Sequence, residues 1–213
     1  MDIYASDDEK AEEIKQWWRE NGVSVVIGLL IGVSLIFGWR FWNSYQRNQS
    51  EQAQAIYHQA MNLESNGKAK QAREETQKLL SKYASTPYAV FAAIEMAFED
   101  VQAGDESSAK SYLEWVIKHA KESGHVELAR LRLGQLLLNE KNYDQALAMC
   151  EQSKMDSFKS LFAELRGDVY AAKGDKAQAL LAYQTALLGA TPGQPRQILL
   201  QMKVDDVAVP NES

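Results

Sequence analysis

Cysteine occurs once in 213 residues, as Cys150. The chain therefore cannot close a disulfide within itself or build a metal site on several thiolates. Cys150 falls in the register of a helix-packing position, where a buried, inert thiol is the simpler account than a nucleophile. Histidine is almost as scarce, with only His58, His119 and His125. His119 and His125 are six apart and out of phase on one helix. A predicted loop at Gly124 separates them, so exposed loop residues explain them better than metal ligands. No glycine-rich phosphate loop and no Ser-His-Asp grouping with a local signature occurs. Glu95, Glu99 and Asp100 are near one another, and a solvated acidic face accounts for them. Neither an enzyme nor a cofactor is expected.

Basic residues are also too dispersed to grip a phosphate backbone. Residues 1–42 hold four basic and seven acidic side chains and the remainder nineteen and twenty-two, or −3 each. Nucleic acid is thereby excluded as an expected partner. Proline is absent before Pro87 and returns only at Pro192, Pro195 and Pro210. Alternating β-branched runs are missing, while Ala, Gln, Glu, Lys and Leu abound, so the expected fold class is all-α.

Against this polar background, residues 23–39 carry no charge at all. As a helix the run covers roughly 25 Å at about 1.5 Å per residue. Extension to Trp42, with Arg40 snorkelling, gives the roughly 20 residues that a bilayer needs. Trp17 and Trp18 precede it and Trp39, Phe41, Trp42 and Tyr45 follow, which suits both headgroup layers. The preceding acidic stretch (Asp2, Asp7, Asp8, Glu9, Glu12, Glu13) and the following Arg40-Phe41-Trp42 argue for an uncleaved anchor rather than a signal peptide. Lys10, Lys15 and Arg19 on one side outnumber Arg40 and Arg47 on the other. That bias predicts a cytoplasmic N-terminus and a translocated C-terminal part; a cytosolic domain is the opposite reading of the same margin. Gly28 and Gly32, four apart, are candidates for helix association within the membrane. No glycine or proline lies between Gly38 and Gly67, so the anchor is expected to run on into the first soluble helix.

The remainder repeats. Ala60, Ala97, Gly134 and Gly167 are spaced 37, 37 and 33 apart, and Ala72, Ala109, Ala146 and Ala179 follow the same spacing twelve residues on. Between them fall the turn signals Gly67-Lys68, Gly104-Asp105, Lys141-Asn142 and Gly174-Asp175, where the Asp or Asn can cap the next helix. The pattern predicts about four helical hairpins, with small residues where paired helices meet. Thr86-Pro87 reads as a cap and first-turn proline. Residues 165–175 with Ala179, Tyr183 and Ala186 make this array similar to the tetratricopeptide repeat. Thr76, Leu113 and Cys150 stand in the aromatic slot that Tyr183 fills. The expected divisions are 1–22 cytoplasmic, 23–42 anchor, 43–194 repeats and 195–213 capping helix and tail.

In that motif positions 2, 5, 9 and 12 of each unit line a concave groove. Counting from Ala53, Val90, Glu127 and Ser160, the candidate protein-binding residues are Tyr57, Met61, Phe91, Ile94, Phe98, Val101, Leu131, Gln135, Leu138, Glu164 and Asp168. Leu128 and the leucines at 131 and 138 fit ordinary core equally well. The segment 197–202 is able to fold back over exposed apolar surface as a cap. An apolar middle suits an amphipathic or unfolded segment.

Taken together, the acidic start, Trp17-Trp18-Arg19-Glu20-Asn21-Gly22, the anchor, the repeats and Gln201-Met202-Lys203-Val204-Asp205-Asp206 resemble the YfgM family. Its members are ancillary subunits of the SecYEG translocon in Gram-negative inner membranes. The resemblance implies a periplasmic domain that works with a PpiD-like membrane-anchored chaperone and contacts emerging, unfolded client proteins. It supplies no catalytic residues. The alternative is a scaffold in another envelope complex that holds one fixed partner helix.

Overall fold

The computed structural model describes residues 7–208. Asp2 and Pro210, with the rest of residues 1–6 and 209–213, lie outside the described residues. Two units are distinguished, Met1–Glu51 and Gln52–Ser213. Nine α-helices and no strand occur among the described residues: α1 (Asp7–Ser65), α2 (Ala69–Lys82), α3 (Pro87–Gln102), α4 (Glu106–His119), α5 (Ser123–Asn139), α6 (Tyr143–Glu151), α7 (Lys159–Lys173), α8 (Lys176–Leu188) and α9 (Pro195–Ala208). The all-α class and the helical-hairpin array follow the sequence. As the lack of helix breakers predicts, α1 has no interruption across the apolar run.

In the first unit that run is long and apolar enough to cross a membrane. Eleven large apolar side chains between residues 23 and 37 are exposed. Gly28 and Gly32 face open space, with no described atom within 4 Å of where a Cβ would stand.

The second unit shows why the repeat has its spacing. Ala60, Ala72, Ala109, Ala146 and Ala179 are fully buried and Ala97 nearly so. A Cβ on Gly134 would lie 2.6 Å from Leu165 Cδ2, and one on Gly167 would lie 2.4 Å from the Tyr183 ring. Helices approach at these points until only a hydrogen or a methyl group fits. Thr76, Leu113, Cys150 and Tyr183, the four occupants of the motif's aromatic slot, are all buried. Burial raises the Cys150 thiol to about 11, so it stays protonated and inert. One cluster around Val90, Leu113, Leu133 and Leu165 runs through the middle, flanked by clusters around Leu79 and around Leu200. Each large side chain so buried contributes about 1.5–3 kcal/mol.

All four predicted turns take the left-handed conformation, including Lys141 at φ 62°. Its N–H donates to Leu138 O at 2.9 Å and the Asn142 N–H to Leu137 O at 2.8 Å, which closes the helix end. A Cβ disfavours this conformation, so Lys141→Gly should stabilise the domain by about 0.5–1 kcal/mol. An unchanged urea midpoint would count against that assignment of strain. Two caps depart from expectation. Asp105 and Asp175 accept from Ser108 N and Gln178 N at 3.1 Å, but Asn142 makes no such bond. Thr86 precedes Pro87 as expected, yet its hydroxyl turns back to donate to Tyr83 O at 2.8 Å.

Three further expectations are corrected. Gly124 lies in the first turn of α5, and residues 120–122 form the connection. His119 and His125 are half-buried ring partners rather than exposed loop residues. His119 stacks on Trp115 at 4.4 Å and approaches Trp115 O through Nδ1 at 2.8 Å; His125 meets Phe91 edge-on at 5.4 Å. Asp100 belongs to no solvated face: it is fully buried and ion-paired with Arg73 of α2. That hydrogen bond outweighs burial and raises Arg73 above its ordinary value.

Candidate protein-binding groove

Helices α3 and α5 form the walls of a cleft of about 470 Å³, with Leu113 of α4 at its base. On α3, Ile94, Phe98 and Val101 fall three or four apart and so share one face. Ala93 beside them is buried in the core, and Ala97, also buried, lines the cleft between Ile94 and Val101. Phe98 is 55% exposed and Val101 42%, so both present apolar surface at the cleft mouth. Across the cleft α5 presents Leu128, Arg132, Gln135 and Asn139. Arg132 Nη1 donates to Gln135 Oε1 at 3.3 Å.

At one end of the same surface Tyr57 of α1, Tyr88 and Phe91 of α3 and His125 of α5 form a ring cluster. Tyr57 lies 5.9 Å from Tyr88 and 6.5 Å from Phe91 between centroids. Phe91 is 38% exposed. Burial, and then the nearby charge of Glu95, hold the Tyr57 phenol above its usual range. Met61 is half-buried on α1.

Ile94, Phe98, Val101 and Gln135 of the predicted set thus border one cleft. Leu131 does not: it is only 7% exposed and lies in the core, and Leu138 packs against that core. The open face of α5 is turned by about one residue from the motif's positions, so Arg132 and Asn139 occupy the rim instead. Both were missed because the motif register was carried onto a helix whose leucines at 131, 133, 136 and 137 all seek the interior. The isolated polar residues in that leucine-rich stretch were the available signal.

Glu164 and Asp168 occur elsewhere and already have partners on α9. Arg196 Nε donates to Glu164 Oε2 at 3.0 Å, and Lys203 Nζ donates to Glu164 Oε1 at 3.0 Å and Asp168 Oδ1 at 2.7 Å. Tyr183 OH donates to Asp168 Oδ1 at 2.8 Å, and Lys203 lies over the Tyr183 ring at 5.6 Å. Burial opposes the Lys203 charge, but the hydrogen bonds it donates to Asp168 and Glu164 raise its pKa overall. Burial and the Asp168 bond likewise push the Tyr183 phenol upward. Leu200 of α9 is fully buried between these contacts, with Val204 and Val207 beside it. No group of three or more His, Cys, Asp or Glu side chains able to hold a metal occurs among the described residues.

Comparison with known proteins gives one family and a consistent set of relatives. Residues 15–209 match the model of a tetratricopeptide repeat-like domain. A protein of Haemophilus influenzae named ancillary SecYEG translocon subunit is 30% identical over 202 residues, covering 94% of this chain and 97% of the relative. A protein of the same name from Escherichia coli is 27% identical over 210 residues, covering 98% of this chain and all of the relative. One from Neisseria gonorrhoeae is 29% identical over 209 residues, covering 97% and 100%.

Proposed function

The chain belongs to the tetratricopeptide repeat-like family that includes the ancillary SecYEG translocon subunits, and on that footing we propose that it is a membrane-anchored, non-enzymatic adaptor beside the Sec translocon. Its groove contacts proteins emerging on the far side of the membrane. The observation that carries this is the cleft between α3 and α5, where Phe98 and Val101 stand exposed over an apolar base. A cleft so small binds weakly. Tethering compensates, because a short link raises the local concentration of groove to millimolar order for chains leaving a neighbouring channel. Weak contact then permits release to the next chaperone.

The basic residues flanking the apolar run favour a cytoplasmic N-terminus and a periplasmic repeat domain in a bacterial inner membrane. A PpiD-like membrane-anchored chaperone is the proposed partner in passing clients on. Gly28 and Gly32 are the proposed helix-association face, supported by their open surroundings. Residues 1–22, 23–42, 43–194 and 195–213 are the corresponding divisions.

Photo-crosslinking in intact cells tests the groove. A photoreactive residue at Phe98 should capture many exported nascent chains, whereas one at Leu30 should capture translocon membrane helices. A single stable product from Phe98 would favour the fixed-partner scaffold instead. Protection of the repeat domain from external protease until the outer envelope is opened is the expected topology result.

A further inference from the structure

We propose that the cleft between α3 and α5 takes an extended apolar segment and holds it through the segment's backbone; this rests on the client-contact function above and specifies its ligand. Three carboxamides border the cleft, Gln135 and Asn139 from α5 and Gln102 from α3. The side chains of Gln102 and Asn139 make no hydrogen bond among the described residues. Gln135 accepts one from Arg132 through Oε1 and keeps its NH₂ group to give. A carboxamide offers a donor and an acceptor side by side, the complement of a peptide group. A helix brings no such group, because its backbone bonds are satisfied internally. An extended chain brings one at every residue.

The spacing agrees. Residues four apart on α5 rise about 6 Å along its axis. Alternate residues of a strand, whose peptide groups face the same edge, recur about every 6.6–6.8 Å. Gln135 and Asn139 therefore meet successive outward-facing peptide groups of one strand. The same alternation turns every second side chain down towards Ile94, Phe98 and Val101. The two charges on the rim, Glu95 and Arg132, cancel, so the occupant carries no net charge.

The molecule itself supplies the contrast. In the fourth hairpin the equivalent positions are Glu164 and Asp168, and there a helix is held, α9, through Arg196 and Lys203 on one face. The second hairpin has Ile94 and Phe98 at those positions, so a single rim carboxylate, Glu95, replaces the pair that grips α9.

The test uses full-length protein in lipid nanodiscs and two fluorescein-labelled peptides of matched apolar content. One is an uncharged extended heptapeptide, Ser-Leu-Thr-Val-Asn-Leu-Ser; the other is a hydrocarbon-stapled amphipathic helix. The heptapeptide should bind, and N-methylation of alternate peptide groups should weaken it at least tenfold. Gln135→Leu with Asn139→Leu should weaken it roughly tenfold, as for two lost hydrogen bonds. Both positions are exposed, so the circular dichroism of that variant should not change. Tighter binding of the stapled helix, or indifference to N-methylation, would overturn backbone recognition while leaving the groove's role intact. Failure of both peptides, together with no crosslinks from Phe98, would remove the client-contact function as well.

Discussion

Gly167→Val should lower the stability of the repeat domain by roughly 3 kcal/mol or more, the upper range for an overpacked core. A Cβ at this position falls 2.4 Å from two carbons of the Tyr183 ring. The ring has nowhere to go. Its hydroxyl is bonded to Asp168, Lys203 lies across its face, and the residue is almost wholly buried. Valine therefore drives α7 and α8 apart, and the Leu200 contact of α9 goes with them. Relief of glycine's helix penalty returns only about 0.5–1 kcal/mol. For a domain of this size the midpoint should fall by roughly 6–12 °C in a thermal melt followed by circular dichroism. Gly28→Val is the matched control, since no described atom lies within 4 Å of its Cβ position. Equal midpoints for the two variants would mean that the α7–α8 approach is looser than described.

Removal of residues 1–42 should abolish both membrane sedimentation and co-purification with SecYEG. Eleven large apolar side chains between residues 23 and 37 are exposed, and insertion of this run in a bilayer takes them out of water. At about 1.5–3 kcal/mol each, their transfer dwarfs any contact that the repeat domain makes by itself. Leu30→Arg with Ile31→Arg gives the same test at full length, each arginine costing about 2.5–3.5 kcal/mol at the helix centre. Full-length wild type should resist alkaline carbonate, and both altered forms should be released. Undiminished SecYEG recovery with the truncated form would move the docking determinant into the repeats.

Much of this fold was legible because steric closeness writes small residues at fixed intervals. The two series from Ala60 and Ala72 marked where helices touch, and Gly67, Gly104 and Gly174 marked where they turn. Lys141 was legible only by its place in that series, since lysine gives no turn signal of its own. Partnership across the stack was not legible. Asp100 finds Arg73 27 residues earlier, and Glu164 finds Arg196 32 residues later. Neither separation follows from a local period. The groove was half read: α3 kept the motif register, whereas the leucines of α5 rotated that helix and brought Arg132 and Asn139 to the rim.

From α2 to α9, every strong helix contact joins an element to one at most two places further along. Order in such a row is handed on from neighbour to neighbour, so loosening spreads inward from the outermost members. Amide exchange should therefore run fastest at the terminal hairpins and slowest near α4. The cleft bounded by α3 and α5 occupies that sheltered interior, and its walls keep their separation while the extremities breathe.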